Sequence, residues 1–197
     1  MATETTTEKP TYLGLLNAIS LAETAAGDLL EAWAKATPSE DLASTLRLVA
    51  ARERSHGDVF CRRLAELGYS LRPKADPRAA ERLAKLGDPA ISDLEKIPSR
   101  REEEADPFAE IRRRMAEGDF DPMTVNLMNW YIAEEKDSER RLQAAYDAVR
   151  KNRSGKGGAA RRDDTPSADA EAIIACMTAG FARLEKAMEK LAKANRR

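Results

Sequence analysis

The chain is poor in the residues that most often do chemistry. It has one histidine, His56, and two cysteines, Cys61 and Cys176, in 197 residues. Structural zinc sites of the four-cysteine or two-cysteine, two-histidine kind need more ligands than that. Two lone thiols make no disulfide framework and read as inert core residues. Aromatic residues are 5% of the chain and glycines number ten, while 34% of residues are charged, which favours helices over a sandwich or barrel. The 33 basic and 34 acidic side chains nearly cancel, so no basic excess exists to neutralise nucleic-acid phosphates. No apolar run approaches the roughly 18 residues needed to cross a bilayer, and membrane partners are not expected. The first nine residues lack the basic start and apolar stretch of a signal peptide, so the expected compartment is the cytosol.

What is present is helix punctuation. Asp-Pro occurs at 76–77, 88–89, 106–107 and 121–122, and Thr-Pro at 37–38 and 165–166. Each places a capping side chain before a proline whose missing N–H costs nothing in a first helical turn. Thr37 has Glu40 three residues on, the spacing of a capping box. Periodicity predicts long helices over about 11–36, 38–68 and 122–152, with Gly68 stopping the second. Residues 69–121 read as a crossover of short helices near 77–86, 89–97 and 107–117. Residues 153–165 are Gly-rich and polar, a linker before an amphipathic helix over 166–197. Its stripe of Met177, Phe181, Leu184 and Met188 suits a core or a partner-facing seam, and residues 1–10 read as disordered. Gly155-Lys-Gly-Gly lacks the flanking residues of a phosphate-binding loop.

Unrolling the helices at about 100° per residue exposes a pattern in the acids. Tyr12, Leu16, Ile19, Leu30 and Ala34 share a face centred on Glu23. Leu42, Leu46, Val49, Phe60, Leu64 and Leu67 share one centred on Glu53, with His56 a turn away toward the edge. A carboxylate amid an apolar stripe is costly unless something charged meets it. A hairpin closing at Thr37 puts Glu23 fourteen residues before the turn and Glu53 sixteen after it. The axial mismatch is about 3 Å, so both should face one layer. In the third long helix the stripe is Leu127, Tyr131, Leu142, Ala145 and Val149, with Glu134 and Glu135 on its two edges. Carboxylate oxygens with one imidazole suit iron or manganese, and zinc as an alternative. Glu53-Arg-Ser-His56 has the i, i+3 spacing that lets both side chains reach one ion.

Glu23 followed by Glu53-x-x-His56 resembles the first half of a ferritin-like or rubrerythrin-like di-iron carboxylate bundle. That family sets one Glu on each of two helices and a Glu-x-x-His on each of two others. The resemblance implies an all-α, ferritin-like helical bundle that binds iron or another divalent metal, with redox activity as an extension. Glu53 would bridge, Glu23 with Glu134 or Glu135 would be terminal carboxylates, and His56 would donate nitrogen. With one histidine the second Glu-x-x-His is missing, and its counterparts are Glu135-Lys-Asp-Ser138 or Glu134 with Asp137. The ligand set is incomplete, and Glu104 and Glu110 in the crossover are the remaining candidates. The rival expectation is a metal-free helical interaction module. In it Glu23 and Glu53 pair with Arg47, Arg54, Arg141 or Tyr131, and the last helix forms a homodimer.

Overall fold

The computed structural model describes residues 9–98 and 106–154. Six helices occur among them: α1 (Leu13–Ala36), α2 (Glu40–Glu66), α3 (Ala79–Gly87), α4 (Asp93–Lys96), α5 (Ala109–Ala116) and α6 (Pro122–Ser154). The architecture is the all-α, ferritin-like bundle expected. Helix α6 continues two residues into the predicted linker. The rest of that linker, the 166–197 helix with Cys176, and Glu104 lie outside the described residues. Cys61 is half-buried rather than a core residue.

Helices α1 and α2 form the antiparallel hairpin, but its cap is not Thr37. Ser39 accepts from the Leu42 N–H at 3.3 Å, and Glu40 pairs with Arg47 instead of reaching back. Thr37 is taken by the crossover: its hydroxyl donates to Asp93, as does the Trp33 indole N–H, both at 2.7 Å. The other end of α2 stops as predicted. Gly68 has φ 82°, and the Tyr69 N–H closes back onto the Leu64 carbonyl. Of the Asp-Pro pairs, Asp121 caps α6 directly, accepting from the Met123 and Thr124 N–H groups. Asp88 instead makes a turn, and α4 begins later behind a Ser92–Glu95 capping box.

Helix α6 runs parallel to α1 and antiparallel to α2. Tyr12 meets Asp121 at one end, Glu23 meets Tyr131 midway, and Trp33 stacks on Tyr146 at the other. The buried line on α6 is rotated from the expected stripe. It passes through Thr124, Met128, Tyr131, Ser138, Leu142 and Tyr146, with Leu127 only half-buried. The crossover leaves α2 at the Tyr12 end and reaches the hairpin tip, where Leu86 and Ile97 enter the core. It then returns to place Phe108 and Ile111 beside Tyr12.

Helix α1 corrects one expectation. Its length and mean hydropathy do suffice, by themselves, to cross a membrane. Much of that apolar content is spent inside the bundle, since Leu15, Leu16, Ile19, Leu29, Leu30 and Trp33 are all buried. The core forms two clusters. One gathers around Leu16, Phe60 and Tyr131, the other around Leu30, Leu46 and Leu142. Burying a large aliphatic side chain is worth about 1.5–3 kcal/mol, so each cluster outweighs several polar penalties. Between them lies a polar layer.

Candidate metal centre

Two glycines bring α1 and α2 close at that layer. A Cβ on Gly57 would meet the Thr24 hydroxyl at 2.4 Å, and one on Gly27 would meet Arg54 at 2.7 Å and the Ala50 carbonyl at 2.9 Å. Each glycine lies one turn beyond a central acid, Gly27 after Glu23 and Gly57 after Glu53. The Ser20 hydroxyl completes the crossing by donating to the Gly57 carbonyl at 2.7 Å. Backbones this near leave the two carboxylates facing each other.

Glu23, Glu53 and His56 are 6%, 5% and 0% exposed. The imidazole is therefore inside the core, not at its edge. From α6, Glu135 approaches the same point. One donor atom from each of Glu23, Glu53, His56 and Glu135 lies within 4.8 Å of the others. His56 Nδ1 is 3.0 Å from Glu135, 3.7 Å from Glu23 and 4.0 Å from Glu53. Glu134 stands on the opposite side of the ring, 3.0 Å from Nε2. The sequence offered a choice between Glu134 and Glu135. The structure brings both to His56, one at each nitrogen, because neighbouring residues on α6 straddle the ring. Trp130 and Tyr131 meet the ring edge-on at 5.0 and 5.2 Å and fix its plane.

The charges are in tension. Three buried atoms of the layer, Glu23 Oε2, His56 Nδ1 and Glu135 Oε1, have no partner in hydrogen-bond geometry, although Nδ1 lies within ion-pair distance of both oxygens. Protonation relieves this. Burial, the bond to Glu23 and the charge of Glu135 push Glu53 up to about 12, so it holds its proton. Burial also opposes ionisation of Glu23. Bonds from Glu53, His56 and Tyr131 overcome that and hold Glu23 below the usual value. The Tyr131 hydroxyl donates to it at 2.7 Å. Burial disfavours charge on His56, yet Glu135, Glu23 and Glu134 raise it to about 10. Glu135, raised by burial against the pull of His56, comes to about 7.

The remaining candidates are elsewhere. Asp137 is held by Arg52, Arg140 and Arg141, and Glu110 pairs with Arg113 on α5. Ser138, at the position of the missing second imidazole, is buried with Arg52 3.5 Å from its hydroxyl. Arg47 and Arg54 pair with Glu40 and Asp28, so among the described residues no arginine ion-pairs with Glu23 or Glu53. Of the rival set only Tyr131 reaches the acids. Sequence reading passed over Gly27, Gly57, Ser20 and Arg52. Glycines inside otherwise regular helices were the available signal, since they weaken a helix unless packing needs them.

A buried cluster of three carboxylates and an imidazole could hold a metal ion. The sequence profile of the rubrerythrin family matches residues 15–146, from the first turn of α1 to the Tyr146 turn of α6. No curated protein and no solved structure matches the chain. The shared helices and the Glu23, Glu53-x-x-His56 constellation lead to one assignment: the chain belongs to the rubrerythrin family.

Proposed function

We propose that this protein binds one divalent transition-metal ion, iron by family preference, through Glu23, Glu53, His56 Nδ1 and Glu135. The observation that carries the reading is the convergence of one donor atom from each of these four residues within 4.8 Å, three of them buried with no partner in hydrogen-bond geometry. Unpaired buried polar atoms are expensive, and a cation satisfies all three at once. Oxygen donors with one nitrogen suit iron and manganese, with zinc as a competitor. One ion rather than two follows from α6: Ser138 offers no nitrogen there, and Arg52 brings a positive charge to that side. Glu134 acts as a positioning residue, accepting from Nε2–H so that Nδ1 presents its lone pair. Bound iron would supply one-electron redox chemistry. The protein's part is to hold the carboxylates, orient the imidazole and exclude water.

The test is metal analysis of the full chain purified from iron-replete cells, beside a His56→Ala variant. The proposal expects about one ion per chain, lost in the variant, with melting raised by Fe(II) or Mn(II). Sub-stoichiometric metal and unchanged melting would defeat it. A second reading draws on the Tyr131–Glu23–Glu53 hydrogen bonds, which form without a cation. In a metal-free module these bonds support the layer, so Glu53→Leu, which takes one of them from the buried Glu23, should lower stability with no effect on metal content.

A further inference from the structure

A pocket of about 590 Å³ opens at the Tyr12 end of the bundle, between the start of α1, the chain after Gly68, and α5. Its last residue on α1, Asn17, is six residues before Glu23, about 9 Å along the helix, so it shares no residue with the metal layer. One wall is apolar, made by Pro10, Leu13, Leu64 and Tyr69. Leu13 and Leu64 are buried members of the core cluster around Tyr131, so the pocket reaches down to the core. Its volume is that of sites for small organic molecules and is far more than an inorganic ion fills.

The charges around it are unequal. Lys9, Arg72, Arg113 and Arg114 line the pocket against Glu110 and Asp119. Both acids are taken. Glu110 is forked by Arg113, which also reaches Glu117, and Asp119 accepts from Arg114 at 2.9 Å. Lys9 and Arg72 differ: among the described residues neither makes an ion pair, and Lys9 stands over the Tyr69 ring, 5.7 Å from its centre. The Arg72 backbone is nevertheless held on both sides by Asn17. The Asn17 amide oxygen accepts from the Arg72 N–H at 2.7 Å, and its amide N–H donates to the Arg72 carbonyl at 3.1 Å. A side chain of α1 thus pins a loop residue whose own guanidinium meets no carboxylate.

We propose that this pocket binds a small organic anion, an apolar body carrying one carboxylate or phosphate. The head group sits between Lys9 and Arg72, and the body covers Leu13, Leu64 and Tyr69. Charge-assisted bonds to two cations fix the head, and burial of a wall that water otherwise wets supplies the rest of the affinity. Asn17 is a positioning residue, since it touches the Arg72 backbone and sets where the guanidinium stands.

The experiment titrates the metal-free full chain with anilinonaphthalene sulfonate, an aromatic anion, and reads the dye's fluorescence, so its outcome is independent of metal binding. Lys9→Gln with Arg72→Gln should weaken the dye about tenfold or more. Phenylnaphthylamine, the same rings without the sulfonate, should bind wild type and variant alike. Lys9 and Arg72 are exposed, so the double variant should melt with the wild type. Asn17→Ala, which removes neither charge, should weaken the dye about threefold or more. Benzoate or phenyl phosphate should displace the dye, the stronger of the two naming the head group. Dye affinity unchanged by the Lys9 and Arg72 substitutions would overturn the proposal. So would an equal loss on removing two exposed charges elsewhere, by Lys35→Gln with Arg62→Gln, which would mark a general charge effect. Inorganic phosphate competing as well as phenyl phosphate would overturn the apolar body.

Discussion

His56 is the single imidazole of the chain, and the two carboxylates that divide its nitrogens are adjacent on α6. Only one of them can share an ion at Nδ1; the other works through the ring. Glu134→Gln should therefore leave metal bound at full stoichiometry but weaken its affinity about 10–100-fold. Titration with Mn(II) checks this, and complete loss of binding would make Glu134 a ligand instead. The protons of the layer set a second expectation. Glu53 keeps its proton in the fold to about pH 12, whereas its ordinary value is 4.5, and His56 keeps its own to about 10 against 6.5. The folded metal-free chain thus holds protons that the unfolded chain releases, and its stability falls as pH rises from about 4.5 for Glu53 and from about 6.5 for His56. Glu23 works the other way, but its contribution is lost only on acidification below 4.5. A cation must displace the protons of Glu53 and His56, so its stabilisation grows over the window in which the metal-free protein weakens. Melting between pH 5.5 and 8 should fall with pH in the metal-free protein, whereas with Mn(II) it should rise to about pH 6.5, the ordinary value of His56, and then level off. A metal-free melting temperature that climbs with pH would contradict the protonated layer.

Helices α1 and α2 can bring their acids together because two glycines let the backbones approach. Gly57→Ala places a methyl on the Thr24 hydroxyl and against the Ser20 carbonyl, which is backbone and cannot swing aside. Overpacking of this kind costs about 1–3 kcal/mol. Thermal unfolding should drop by roughly 2–4 °C per kcal/mol for a chain of this size. Metal uptake should fall with it, because Glu23 and Glu53 are pushed apart; a variant that melts lower yet loads fully would separate the two effects. The long helices and the shared height of Glu23 and Glu53 were legible because they follow from periodicity and rise per residue. The cap was misread because Thr37 and Ser39 are equally competent caps locally, and Asp93, 56 residues away, claims Thr37. The turn at Asp88 and the rotated buried line of α6 escaped for the same reason. Both are decided by packing against α1 and α2, which no single-helix pattern contains.

At the scale of the molecule, the site is a polar seam between two apolar clusters. Its position was readable from hairpin arithmetic, but its closure by both Glu134 and Glu135 depended on how α6 rolls against α2. The crossover that separates these helices in sequence makes a round trip. It leaves α2 near Tyr12, is clasped at the hairpin tip by Asp93, and comes home to Asp121, where Tyr12, Arg63 and Thr124 converge on one carboxylate. That itinerary makes covalent continuity between α4 and α5 dispensable. Fragments 1–98 and 106–197 each carry an intact share of the interface, the first with Glu23, Glu53 and His56, the second with Glu134 and Glu135. Co-expressed as two polypeptides, they should co-purify as a one-to-one pair, and neither alone should give the melting transition of the whole. Failure to associate would mean that the covalent link, and not the α2–α6 interface, unites the halves. Association of the two would make the protein a natural candidate for a split reporter whose pieces recognise each other through a shared ion.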